Sequence, residues 1–183
     1  VLVQGGAFNA ITAPHTGRSP GDRFVVRDET TADEIWWGQV NCPIEPERYA
    51  ILRADLVAAL ERQHLYVRDM CAGAEPAYRI PVRIVTPSAW HNLFAYNMFR
   101  VPEEGDEVGG ENAFTILHDP EFEAEPTRHG TRTGAFIVLN LSRREILIGG
   151  TRYAGEIKKS IFSVMNYLLP KQGVLSMHCS ANV

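Results

Sequence analysis

An arginine lies between a glycine and a proline in residues 16–20, TGRSP. In a loop bounded in this way, Arg18 can present its rigid fork of donors to a carboxylate or a phosphate, in a two-point geometry that lysine does not reproduce. The alternative is a surface turn with a solvated arginine. Loops carry function more often than cores, but most arginines in loops have no such role. These residues alone therefore favour the surface turn.

Two adjacent lysines, Lys158 and Lys159, follow the glycine-rich segment 149–155 (GGTRYAG) and fall near the start of a predicted helix. The helix dipole disfavours positive charge there, so the position favours a neutral amine able to ligate a metal, beside backbone N–H groups that suit a polyphosphate. Adjacent helical residues point about 100° apart, so we expect one of the two lysines to face a site. Composition alone favours two solvated lysines, partly offset by Glu156.

A histidine stands beside a cysteine in residues 177–182, MHCSAN. His178 is open to three interpretations: a metal ligand, the base of a nucleophilic pair with Cys179, or a packed structural residue. Adjacent side chains on a strand face opposite ways, which argues against the nucleophilic pair. The other histidines show no ligand spacing with His178, so the residues alone favour a structural role.

The elements that must position these residues alternate along the chain. Hydrophobic spacing and turn signals predict strands and helices with no repeat or linker between them, and therefore one structural unit. Short strands alternating with helices, several joined by hairpin-length loops, favour an α/β or mixed α+β class, with a mixed sheet flanked by helices. Strands are predicted over 1–11 (interrupted by Gly5 and Gly6), 24–26, 65–69, 79–85, 113–118, 134–140 and 144–148, and helices over 45–64, 88–98 and 155–169.

Two further segments have simple expected roles. The doublet Trp36 and Trp37 and the run 90–99 are expected to pack in the core, because no basic residues alternate with them as in a base-stacking surface. The acidic, glycine-containing segment 102–110 is expected to be an exposed loop with solvated charges.

Composition limits the partners and the compartment. A net charge of −4 and a pI near 5.9 give no basic surface for nucleic acid. Three cysteines without zinc-type spacing fit reduced thiols, so we expect a cytoplasmic protein. We find no targeting segment and no membrane-spanning run. The chain starts at Val1 within an apolar segment, and we expect truncation at both ends.

Four blocks together resemble ATP-dependent phosphoenolpyruvate carboxykinases: residues 16–20, 149–159, 165–171 (MNYLLPK) and 177–183 (MHCSANV). They recur in the order and spacing of that family, and IWWG at 35–38 and NMF at 97–99 are also similar, so the resemblance covers nearly the whole chain. The GTP-dependent class does not share these blocks. The resemblance implies that residues 1–183 are the N-terminal domain of a two-domain carboxykinase.

The resemblance implies reversible conversion of oxaloacetate and ATP into phosphoenolpyruvate, carbon dioxide and ADP, a step of gluconeogenesis. It also implies Mg²⁺ with the nucleotide, Mn²⁺ at the enzyme's own site and a monomeric full-length protein. By position, Arg18 would hold the substrate carboxylate, and Tyr153 would contact substrate or carbon dioxide. Lys159 and His178 would ligate the manganese and approach the γ-phosphate, with Lys159 also touching the substrate.

The same resemblance places the phosphate-binding loop G-x-x-x-x-G-K-[ST] and an acidic metal ligand after Val183. We therefore expect the chain alone to be inactive. Two alternatives stay open: a non-catalytic module that binds a dicarboxylate or another anion through Arg18 and Lys159, and a structural domain whose site residues are relics.

Overall fold

A mixed β-sheet with helices on both faces forms the centre of the computed structural model, which describes residues 5–6 and 9–179. Its strands follow the order β2-β1-β6-β7-β5-β4-β3 across the sheet. They are β1 Arg23–Val26, β2 Cys42–Ile44, β3 Tyr66–Ala72, β4 Ile80–Thr86, β5 Phe114–Asp119, β6 Phe136–Asn140 and β7 Glu145–Gly149. The α-helices are α1 Pro46–Leu60, α2 Ala89–Met98, α3 Pro126–His129 and α4 Gly155–Leu168.

Strand direction decides which loops meet. Strands β4, β5 and β7 are parallel to one another, and β1, β2 and β6 form a second parallel set that meets β7 through the antiparallel β6–β7 hairpin. Gly149 pairs with Asp119 on one side and with Phe136 on the other. The carboxyl ends of β4, β5 and β7 therefore share one edge of the sheet with the amino ends of β1 and β6. We call this edge, marked by Asp119, Phe136 and Gly149, the upper edge.

Two helix layers bury the sheet. Helix α4 packs Ile157, Ile161 and Val164 against one face, and α1 packs its own apolar stripe against the other. Every residue of β6 and β7 is buried, as expected for central strands covered on both sides. The predicted mixed sheet flanked by helices is confirmed. No helix in the described part of the chain has the length and apolar character needed to cross a bilayer.

The main predicted elements are confirmed with shifted ends. Helix α1 begins at Pro46, where the missing N–H costs nothing, and α2 is capped by Ser88, whose hydroxyl accepts from the backbone N–H of His91 at 3.5 Å. The sequence missed β2 and α3. Strand β2 contains Pro43 and lies at the edge of the sheet, where a proline is tolerated but gives no alternating pattern.

Some expectations are wrong. Residues 9–11 are not a strand; residues 1–4 and 7–8 of that predicted strand lie outside the described residues. The segment 173–179 is also not a strand, which removes the basis of the argument on His178 and Cys179. Trp36 is 90% exposed, whereas Trp37 packs against the core and donates its indole N–H to the carbonyl of Ala32 at 2.8 Å.

The acidic segment 102–110 is a loop, but its charges are not all solvated. Arg79 donates to the carboxylates of Asp106 at 2.7 Å and Glu103 at 3.2 Å. The loop is thereby tied to the residue that precedes β4.

Candidate functional site

The upper edge of the sheet gathers most of the residues singled out by the sequence. The segment carrying Arg18 enters β1 there, and residues 150–154 leave β7 there to begin α4 at Gly155. Helix α4 starts without a side-chain cap, so its first N–H groups are not claimed by a neighbouring side chain. Ligands of open α/β sheets bind beyond the carboxyl ends of the strands, which is the position of this edge.

One buried carboxylate fixes the Arg18 loop to α4. Glu156, which is 3% exposed, accepts a hydrogen bond from the backbone N–H of Ser19 at 2.8 Å. Its other oxygen lies 3.9 Å from Nε of Arg18, whose side chain is 40% exposed. Glu156 therefore holds the arginine loop, and no ion pair joins it to Lys158 or Lys159 among the described residues. The long contact leaves most of the Arg18 guanidinium available to a ligand.

Arg18 lines a cavity of about 530 Å³ at this edge. A second arginine in the cavity wall, Arg132, is already paired with the buried carboxylate of Asp22 at 3.0 Å. Arg18 is therefore the cation in this wall with donors to spare. The remaining walls are His15, Ser19, Pro20, Gly21, Glu123, Thr133, Gly134, Ala135 and Gly150.

Glycines shape the segment that leads into α4. Gly150 has φ +64°, and a Cβ there would lie 2.4 Å from the carbonyl oxygen of Gly134. A Cβ on Gly155 would lie 2.5 Å from Cε1 of Tyr153. The Tyr153 ring therefore lies over the first residue of α4. The backbone N–H of Tyr153 donates to the hydroxyl of Thr151 at 3.2 Å.

Lys159 and His178 meet at a shared aromatic ring. Nζ of Lys159 lies 5.3 Å from the centroid of the Phe162 ring, and the His178 ring contacts Phe162 edge-on with centroids 5.7 Å apart. Lys159 is half-buried and has no carboxylate partner among the described residues, while Lys158 is exposed. A helical turn of α4 thus separates this pair from the Arg18–Glu156 contact.

Lys159 and His178 together would supply only some of the ligands that a divalent metal needs. Within residues 5–6 and 9–179 no three His, Cys, Asp or Glu side chains come close enough to hold a metal. Lys159 and His178 supply two nitrogen donors at one ring, which fits part of a coordination shell, and the remaining ligands would have to come from other residues or from water.

Sequence reasoning missed two buried histidines beneath this loop. His91 and His118 are 2% and 1% exposed, with ring centroids 4.1 Å apart. Each Nδ1 is 2.8 Å from a hydroxyl, that of Ser88 for His91 and that of Thr86 for His118. No sequence spacing marks the pair, because the two residues come from different elements.

The charge state of these histidines follows from their burial. Burial lowers the pKa of His91 to about 4, opposed weakly by the backbone carbonyl of Arg152. Burial and the neighbouring His91 hold the pKa of His118 well below its usual range, opposed by the carbonyl of Thr151. At neutral pH the pair is an uncharged support under residues 151–152, which lead directly to Tyr153.

Comparisons with known proteins agree along the whole chain. A family model described as phosphoenolpyruvate carboxykinase matches residues 1–183. The protein named phosphoenolpyruvate carboxykinase (ATP) of Brevibacillus brevis is 50% identical over 184 residues, and that of Thermus thermophilus is 51% identical over 187 residues. The Bacillus subtilis protein of the same name is 50% identical over 184 residues. Each alignment covers 100% of this chain and 35% of the relative, so the chain spans about a third of their length.

Proposed function

Because this chain belongs to the family of ATP-dependent phosphoenolpyruvate carboxykinases, we propose that it supplies the substrate-binding part of an enzyme that converts oxaloacetate and ATP into phosphoenolpyruvate, carbon dioxide and ADP. Residues 1–183 would form the N-terminal domain, and other parts of the protein would bind the nucleotide. The observation that carries the proposal is the meeting of Arg18, Tyr153 and the start of α4 at the upper edge of the sheet.

Arg18 is the proposed ligand of a substrate carboxylate. Its guanidinium keeps donors free, because Glu156 lies 3.9 Å away and is already hydrogen-bonded to Ser19. Loss of carbon dioxide from oxaloacetate leaves an electron pair on carbon as an enolate, whose oxygen then attacks the γ-phosphorus of ATP. A fixed cation beside the developing oxyanion stabilises that charge without reorganisation.

Tyr153 is the proposed contact for substrate or carbon dioxide. Its ring is held over Gly155, where a larger residue would displace it. The segment that carries it is supported from below by His91 and His118. Its hydroxyl lies beside the first residue of α4 and would donate a hydrogen bond to the ligand from there.

Lys159 and His178 are the proposed protein ligands of the enzyme's Mn²⁺, with Mg²⁺ arriving on ATP. Support comes from their shared contact with Phe162 and from the absence of a carboxylate partner for Lys159 in the described part of the chain. A divalent ion bound there would neutralise charge on the enolate and on the transferred phosphoryl group. Lys159 would additionally donate to substrate or γ-phosphate from the helix start.

The compartment proposed for this function is the cytoplasm. Cys42, Cys71 and Cys179 are all free thiols in the structure, which suits a reducing environment.

The metal assignment is tested by Lys159→Arg in the whole enzyme. Arginine is always charged and does not offer a lone pair, so we expect loss of Mn²⁺ affinity together with loss of turnover, measured by electron paramagnetic resonance titration and by an activity assay. Lys158→Arg, at the exposed neighbour, should leave both unchanged. Wild-type Mn²⁺ affinity in Lys159→Arg would remove Lys159 from the ligand set.

A further inference from the structure

Arg23, the first residue of β1, has a guanidinium with few partners in the described part of the chain. Its Nε is buried, and none of its nitrogens forms a hydrogen bond or an ion pair with any residue in the described part of the chain. This distinguishes it from seven other arginines of the chain, which have carboxylate partners within 3.2 Å: Arg53, Arg79, Arg83, Arg100, Arg128, Arg132 and Arg152. Arg23 is half-buried, and a guanidinium with a buried Nε that lacks a partner keeps hydrogen-bonding capacity for a ligand.

The surroundings of Arg23 are short of negative charge. Burial and the positive charge of Arg18 lower the pKa of Arg23, and Glu156 only partly opposes them. Glu156 is already hydrogen-bonded to Ser19 and in contact with Arg18. Two guanidinium groups therefore share one carboxylate, and an arginine does not relieve the imbalance by losing its proton. An anionic ligand would add negative charge beside this pair of arginines.

Space for an anion exists directly beside Arg23. A cavity of about 340 Å³ lies between α4 and residues 34–41, with Arg23 in its wall. Its apolar walls come from Val25, Ile35, Leu139 and Leu141, and its polar groups from Glu34, Asn41, Ser163, Asn166 and Tyr167. Trp36, 90% exposed, stands at the same cavity together with Val40. None of these residues lines the Arg18 cavity.

The lining limits the kind of anion. Glu34 is ionised, because hydrogen bonds from Lys171 and Tyr167 lower its pKa, and it disfavours a second negative charge in the cavity. Apolar walls and an exposed indole favour a ligand with an apolar, flat body. An arginine fork pairs most strongly with a planar carboxylate.

We propose that the cavity between α4 and residues 34–41 is a second binding site, which takes a small monocarboxylate with an apolar or aromatic body. The carboxylate pairs with Arg23, and the body packs between Trp36 and the β1–β6 face that carries Val25 and Leu139. The site is separate from the one proposed for oxaloacetate and does not depend on that function.

The test uses benzoate as the probe and the 183-residue chain labelled with ¹⁵N. We expect the indole N–H signal of Trp36, assigned through Trp36→Phe, to shift saturably with benzoate and not with uncharged benzyl alcohol. Arg23→Gln should weaken binding at least tenfold, and Arg23→Lys should weaken it less. Arg143→Gln, an exposed arginine on the β6–β7 turn, should bind like the wild type.

Two results would overturn the proposal: a shift that grows linearly without saturation, or equal benzoate affinity in wild type and Arg23→Gln. Should Arg23→Gln fail to fold, Trp36→Ala gives the same test when binding is followed by the backbone amide signals of Val25, Leu139 and Leu141 in the cavity wall. Trp36 is exposed, so its removal should weaken benzoate binding without loss of structure. Oxaloacetate should not displace benzoate, which separates this site from the Arg18 cavity.

Discussion

At the scale of single residues, Glu156 holds the Arg18 loop in place. In Glu156→Ala the N–H of Ser19 loses its acceptor at a half-buried position, so we expect the free energy of unfolding to fall by about 1 kcal/mol in urea titrations. The same change should weaken oxaloacetate binding, because Arg18 loses the contact that orients it.

Glu156→Gln is the matched control. It keeps an oxygen to accept from Ser19, so most of the stability should return. An alanine variant as stable as the wild type would contradict the role given to Glu156.

Sequence reasoning reached some of these residues and missed others. Arg18, Tyr153 and Lys159 belong to recognisable blocks, and their proposed roles follow from resemblance. The hydrogen bond of Glu156 to Ser19 was not predicted, because Ser19 is 137 positions away and helical spacing points only to nearby lysines. His91 and Arg23 gave no signal, because their burial and their neighbours are set by the fold and not by local spacing.

At the scale of elements, the turn between β7 and α4 depends on the close approach of Gly150 to Gly134. In Gly150→Ala the added Cβ would lie 2.4 Å from the carbonyl oxygen of Gly134. The alanine would also have to keep a φ of +64°, so we expect the free energy of unfolding to fall by more than about 2 kcal/mol. Gly173→Ala is the control, since Gly173 has φ +74° but nothing within 4 Å of a Cβ. It should cost about 1 kcal/mol, from the backbone conformation alone. An equal loss of unfolding free energy in the two variants would mean that the turn accommodates a Cβ at position 150 without a steric penalty.

The strong helices were predictable and the weak elements were not. Helix α4 carries Ile157, Ile161 and Val164 at helical spacing, so its pattern is readable from sequence. Helix α3 has four residues, which are too few to show a helical pattern of apolar residues. Strand β2 has three residues, and one of them is a proline. Their existence depends on neighbours: β2 pairs with β1, and α3 packs against α1.

At the scale of the whole molecule, the buried histidine pair couples stability to pH. The pKa of His91 is about 4 in the folded chain against 6.5 for an ordinary histidine, so the unfolded chain binds more protons between these values. Stability contributed by the neutral ring is therefore complete above pH 6.5 and is lost as pH falls towards 4, by about 3 kcal/mol for His91.

Urea unfolding between pH 6.5 and pH 5 isolates this effect, since most carboxylates titrate lower. The double variant His91→Gln, His118→Gln should show a shallower decline of stability with falling pH. His64→Gln, at an exposed histidine, should keep the wild-type slope. An unchanged slope in the double variant would place the pH dependence elsewhere.

The fold class was predictable, whereas the order of the strands was not. Alternating strands and helices indicate a mixed sheet, but the pairing of β1 with β6 and of β5 with β7 joins distant segments. Those pairings create the upper edge and bring residues near position 18 to residues near position 155. The site is therefore a product of long-range topology, which local patterns do not determine.

The central claim is that Arg18 binds a substrate carboxylate at the upper edge. It is tested most directly by titrating ¹⁵N-labelled chain with oxaloacetate and following backbone amide signals. We expect saturable shifts centred on residues 17–19 and 150–156, lost in Arg18→Ala and retained in Arg143→Ala. Saturable binding that survives Arg18→Ala, or shifts that avoid both segments, would contradict the account.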